Sequence, residues 1–151
     1  MATTKKVLFI CVHNSARSQM AEAYFNAFAP DGYAAESAGL EPTSVDPFAI
    51  EVLREDGIDI THKTTQSVFD LFKEGRLYYA IITVCESGAE MRCPIFPGVA
   101  YREHWPFANP ADEKGTDTQK IDAMRRTRDA IRTKVESFIR TLEDEKESDE
   151  D

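Results

Sequence analysis

The chain has 151 residues, with 27 acidic against 18 basic and a formal net charge of −9. That length suits one domain with a core of its own, and the acidic balance makes nucleic acid a poor partner. Residues 1–6 lack the apolar core of a leader, and no run approaches the about 18 apolar residues of a membrane span, so the expectation is a cytoplasmic protein with no membrane partner.

Much of the negative charge lies in Glu143-Asp144-Glu145-Lys146-Glu147-Ser148-Asp149-Glu150-Asp151. This run reads as an acidic, disordered tail over residues 143–151 behind a single domain over residues 1–142. Three cysteines without an export signal suit a reducing compartment, and chemistry more than static staples. A monomer is expected.

Val7-Leu8-Phe9-Ile10 reads as a buried strand that ends at Cys11. A polar loop leads to Arg17, and from Ser18 to Phe28 apolar residues recur at helical spacing. Pro30-Asp31-Gly32 turns the chain into a second strand, Tyr33 to Ala38. Asp46-Pro47 is a capped helix start, and Gly57 ends that helix. A short extended piece at Ile58-Asp59-Ile60 precedes a brief helix around Val68 to Phe72. Tyr79 to Val84 is the clearest buried strand and leads straight into Cys85. Tyr101 to Trp105 reads as a fourth strand. From Thr118, the positions Ile121, Met124, Ile131, Val135, Phe138 and Leu142 make a long amphipathic helix, with Arg128 its one polar exception. Strands alternating with helices predict an α/β fold, a four-stranded parallel sheet flanked by helices on both faces.

In such a sheet ligands bind beyond the carboxyl ends of the strands, where Cys11 and Cys85 both fall. A strand turning quickly into a helix presents outward amides, a ready cradle for a tetrahedral oxyanion. The candidate cradle is Val12, His13, Asn14, Ser15, Ala16, Arg17 and Ser18, with Arg17 as a fork-shaped clamp. Cys11 at its mouth is the candidate nucleophile, and Ser18 is placed to donate to its sulfur. Asn14 can take a left-handed backbone or tie the loop down, and His13 reads as a solvent-facing spectator. The plainer alternative is a buried cysteine beside a surface arginine. Cys85 and Cys93 enclose a polar, glycine-bearing segment that reads as a mobile loop. Their spacing does not suit zinc; they read as a redox pair or as two buried bystanders.

The run Cys11-Val-His-Asn-Ser-Ala-Arg17-Ser18-Gln-Met-Ala-Glu resembles the anion loop of low-molecular-weight protein tyrosine phosphatases. It is closer to the thioredoxin-coupled arsenate reductases that share that fold. Ser37-Ala38-Gly39, the helix from Pro47 to Gly57, Cys85 with Cys93-Pro94, and Glu103-His104-Trp105 extend the likeness from about Lys6 into the last helix. The C-x5-R-S loop marks only the broad fold; the two further cysteines single out the reductases. The resemblance implies that Cys11 attacks arsenate, that Cys85 displaces arsenite as a Cys11–Cys85 disulfide forms, and that Cys93 then makes a Cys85–Cys93 disulfide. Thioredoxin would reduce that bond; some relatives use a glutaredoxin-type or mycothiol reductant, and the presence of Cys93 favours thioredoxin.

Three departures stand out. Asn109 occupies the position where the family carries the aspartate that serves as general acid, with Asp112 a substitute three residues on. An amide cannot deliver a proton, which weighs against a phosphatase more than against a reductase. Asn14, Glu22 and Ser37 match the ligands of a potassium ion found in some of these reductases, but Gln66 replaces the usual carboxylate. The Cys85–Cys93 span is one residue longer than the family suggests, a small change in closure cost. An arsenate reductase is therefore the expectation. The alternatives are a tyrosine phosphatase acting through a Cys11 phosphoenzyme, and an oxyanion-binding module without turnover.

Overall fold

The computed structural model describes residues 4–150. In chain order come β1 (Lys5–Cys11), α1 (Arg17–Phe28), β2 (Tyr33–Gly39), α2 (Pro47–Glu55), α3 (Val68–Lys73), β3 (Ala80–Thr83), β4 (Tyr101–His104) and α4 (Asp117–Glu150). Single 3-10 turns sit at Ala89–Arg92 and Pro110–Asp112. The strands form one parallel sheet in the order β2-β1-β3-β4, as the alternation of elements predicts. The chain steps to one side of β1 and then returns to the other. The crevice at such a switch point opens above the carboxyl ends of β1 and β3.

A parallel strand buried on both faces must be apolar, and β1 is so from Val7 to Cys11, after two exposed lysines. Val7 and Phe9 face a core with Met20, Tyr24 and Phe25 of α1, Leu53 of α2, and Ile131 and Val135 of α4. Leu8 and Ile10 face the other core, with Leu71 of α3, Ile81 and Phe96. On that second face α3 has help from irregular chain: the Phe72 and Tyr78 rings stand edge-on to Phe96, each with centroids 5.5 Å away.

Local signals hold the helices in register. Asp46 Oδ1 accepts from Phe48 N at 2.8 Å, and Pro47 opens α2. Arg128, the polar break in the α4 stripe, donates Nη1 to Val52 O at 2.9 Å and to Glu55 Oε1 at 2.7 Å. It thereby clamps α4 to the open carbonyls and acidic end of α2. Ile58 to Ile60 belongs to no regular element, and Ile60 is buried. One expectation differs from the structure. The run from Glu143, expected as a disordered tail, continues α4 as far as Glu150. The Tyr101 hydroxyl donates to Glu145, and Lys146 Nζ approaches Asp31 O at 3.4 Å, so this end of the helix has partners. Among the described residues, no helix is long and apolar enough to cross a membrane.

Candidate active site

The loop from Cys11 to Arg17 is stitched along one side to the chain after β2. Leu40 N donates to Cys11 O at 3.1 Å, Glu41 N to Val12 O at 2.7 Å, Thr43 N to His13 O at 3.1 Å and Asp46 N to Ser15 O at 2.9 Å. Carbonyls spent outward leave amides turned inward, and Asn14 N donates to Cys11 Sγ at 3.2 Å. Gly39 permits the close approach. A Cβ there would lie 2.8 Å from Val12 O and 2.9 Å from Asn14 N. At the head of α1, Ala16 offers no side-chain cap to the first-turn amides.

Asn14 takes both roles open to it. Its φ of 55° is left-handed, which costs about 1–3 kcal/mol unless the surroundings hold it. They do: Nδ2 donates to Ser18 Oγ at 2.8 Å and Ser37 Oγ at 3.0 Å, and Oδ1 accepts from Gln66 N at 3.0 Å. Since Ser18 Oγ already accepts from Asn14, its own proton is free for Cys11 Sγ, 2.9 Å away. His13 is half-buried rather than a free spectator, with Nδ1 3.0 Å from Glu41 O. Arg17 is 3 % exposed and donates Nη1 to Phe107 O at 2.9 Å, linking the loop to the segment after β4.

Cys85 follows β3 and is fully buried. Because Ile10 pairs with Thr83, it lies one step diagonally beyond Cys11 on the neighbouring strand. Burial pushes its thiol upward, and the nearby Arg17 guanidinium opposes that. Cys93 is half-buried, and its thiol is pushed up to about 12, first by burial and then by Cys85 and Glu90. All three cysteines are free. Only Cys93 has large exposed apolar neighbours: Met91 is 85 % and Ile95 79 % exposed.

Residues 6–148 match the family model of low-molecular-weight phosphotyrosine protein phosphatases. The chain belongs to that family. Its curated relatives include the arsenate reductases of Halalkalibacterium halodurans, 36% identical over 91% of this chain and 96% of theirs, and of Bacillus subtilis, 35% identical over the same shares. The solved arsenate reductase of Archaeoglobus fulgidus superposes with a TM-score of 0.70 at 32% identity, over 88% of this chain and 98% of that one. Within the low-molecular-weight phosphatase family, the chain thus stands among the arsenate reductases.

At the family's acid position, Asn109 Oδ1 accepts from Ala111 N at 3.1 Å and caps the Pro110–Asp112 turn. Its own N–H donates to Glu86 Oε1 at 3.1 Å. A cavity of about 390 Å³ opens here beside the anion loop, lined by His13, Ser15, Asp46, Phe48, Asn109 and Lys120 among others. Asp112 lies exposed at the end of the turn. The Glu86 contact was not anticipated; its one sequence signal is a carboxylate directly after Cys85.

Asn14, Glu22 and Ser37, the residues that match a potassium site in some of the reductases, are brought together as a hydrogen-bonded chain. Asn14 turns its NH2 group toward Ser37, and Gln66 gives Nε2 to Ser37 O at 2.8 Å. Ser37 Oγ donates to Glu22 Oε1 at 2.8 Å, while Lys63 Nζ sits 2.5 Å from Glu22 Oε2. The positive charge beside buried Glu22 is therefore an ammonium of the chain itself. Lys63→Met leaves Glu22 without a counter-charge. Removing one member of a buried pair costs about 3–5 kcal/mol, and solvent at Lys63 reduces this to about 2 kcal/mol. The denaturation midpoint should fall accordingly, Lys63→Arg should restore it, and exchanging sodium for potassium chloride should leave the wild-type midpoint unchanged.

Proposed function

We propose that the protein reduces arsenate to arsenite through a covalent Cys11 adduct and a disulfide relay through Cys85 and Cys93. The observation that carries this is the graded placement of three free thiols. Cys11 lies inside the amide loop, Cys85 is buried one diagonal step away, and Cys93 is half-buried between exposed Met91 and Ile95.

The amides of Val12 to Ser18 and the Arg17 guanidinium hold the arsenate. The Cys11 thiolate attacks arsenic, one arsenate hydroxyl takes the proton of another and leaves as water, and an S–As bond forms. Ser18 and the Asn14 amide both donate to that sulfur, and so hold it aimed into the loop. The Cys85 thiolate next attacks Cys11 Sγ. The S–S bond forms, the S–As pair stays on arsenic, and As(V) leaves as arsenite, As(III). Cys93 attacks Cys85 in turn, returning Cys11 to its thiolate and leaving a Cys85–Cys93 disulfide for an external dithiol. Asn109 supports reduction over phosphoester hydrolysis. Arsenate carries on its own hydroxyls the proton with which one of them leaves as water, whereas a poor aryl or alkyl leaving group needs a proton that an amide cannot give.

The deciding experiment is arsenate-dependent NADPH consumption with thioredoxin and thioredoxin reductase. Steady turnover is expected; aryl phosphate hydrolysis without any arsenate reduction would establish the phosphatase reading instead. Met91 and Ile95 form the apolar rim on which thioredoxin would dock to reach Cys93. Met91→Asp with Ile95→Asp should lower kcat/KM for thioredoxin about tenfold while the KM for arsenate stays put.

A further inference from the structure

His104 ends β4 with Nδ1 2.6 Å from Thr83 Oγ1. The Thr83 hydroxyl also lies 3.5 Å from Glu103 O, a second acceptor for its proton. In the tautomer that gives the Thr83 proton to Glu103 O, Nδ1 donates to the threonine oxygen and Nε2 is the basic nitrogen. Nε2 is shut off from solvent and has no hydrogen-bond partner. A His104 ring nitrogen, Cys85 Sγ and a Glu90 carboxylate oxygen all lie within 4.8 Å of one another, with Glu90 Oε2 3.5 Å from Nε2. A buried basic nitrogen, a buried thiol and a carboxylate thus converge where the relay needs a thiolate.

We propose that His104 is the general base that takes the proton of Cys85 for its attack on the Cys11 adduct, with Glu90 stabilising the imidazolium. The inference rests on the relay reading above. The Sγ–H proton passes to Nε2, the freed sulfur pair forms the bond to Cys11, and the S–As pair remains on arsenic. The imidazolium then gives its proton to an oxygen of the departing arsenite, so charge and protons balance. Burial holds the Cys85 thiol neutral in the resting protein, which is why a base is needed at all.

The surrounding charges fit this role. Glu90 faces the ring from the Ala89–Arg92 turn, while Glu103 is spent on Trp105 Nε1 at 3.0 Å and Arg102 on Phe96 O. Arg17 acts on Cys85 from the side of the anion loop and favours the thiolate once it forms; Cys11 and Glu90 act on it in the opposite sense, and Cys93 is its other near thiol.

The test is a single turnover of the pre-reduced full chain with arsenate and EDTA, without thioredoxin. Samples are quenched in acid, alkylated and mapped for disulfides by mass spectrometry from pH 6 to 9. Wild type should form its disulfides rapidly at pH 7. His104→Gln should be slowed about 10²-fold there. It should recover about tenfold per pH unit as hydroxide takes over the base role, a recovery that a merely structural defect does not produce. Glu90→Gln leaves β4 intact and covers the case of a poorly folded His104 variant; it should slow the same step about threefold to tenfold. No disulfide in the wild type would overturn the relay itself. Wild-type disulfides, with variant rates equal to wild type at pH 7, would overturn the role of His104 alone.

Discussion

Cys93→Ser protein is expected to release about one arsenite per molecule and then stop, holding a Cys11–Cys85 disulfide. Cys93 takes no part in binding the anion or in the attack on arsenic, so the first turnover proceeds at the wild-type rate. What is lost is the thiol that frees Cys11. Cys85 is fully buried and Cys11 is 2 % exposed, so a bond between them offers an external dithiol no sulfur to attack. Steady-state turnover should fall on the order of 10³-fold or more. Rapid-quench measurement of arsenite gives the burst, and mass mapping identifies the bond. Continued turnover by this variant would remove Cys93 from the mechanism and return Cys85 and Cys93 to bystanders.

The second large effect is a gain. Asn109→Asp should raise hydrolysis of an aryl phosphate with a poor leaving group by about 10²–10⁴-fold, the usual worth of a general acid. The substitution keeps the turn, because aspartate caps as well as asparagine does and Ala111 N still finds an acceptor. Glu86 lies close enough to bond the Asn109 N–H, and its negative charge would help keep the introduced carboxyl protonated. An activated aryl phosphate should gain less than an unactivated one, and arsenate reduction should change by less than about tenfold. Equal, negligible hydrolysis by variant and wild type would show that residue 109 does not face the leaving group.

Much of this was legible from the chain itself, for reasons that differ by residue. β1 shows because its stretch covered on both faces, Val7 to Cys11, has no polar position, and the anion loop shows because a nucleophile, polar linker, arginine and helix coincide over a short span. Arg128 stood out as a misfit on an apolar stripe, and the misfit turned out to be the clamp on α2. Other features were invisible because they are made across the fold. Lys63 reads as any surface lysine until Glu22 of α1 is brought 2.5 Å from it. His104 gains its company only because β4 pairs with β3, which sets it beside Thr83 and near Cys85. The charge run from Glu143 resembles a solvated end, and composition alone does not reveal that Tyr101 meets Glu145.

The separation between the amide loop and the Met91–Ile95 rim has a kinetic consequence. The small anion is taken up at one place and the protein reductant at another, and neither needs the other to be present. In the proposed relay, oxidising equivalents move outward through covalent bonds of the chain, so no ternary complex is required. Initial rates should therefore follow a double-displacement pattern, with parallel reciprocal plots for arsenate at different thioredoxin concentrations. High thioredoxin should not compete with arsenate. Under the proposed relay the two half-reactions meet only through the chain that connects them.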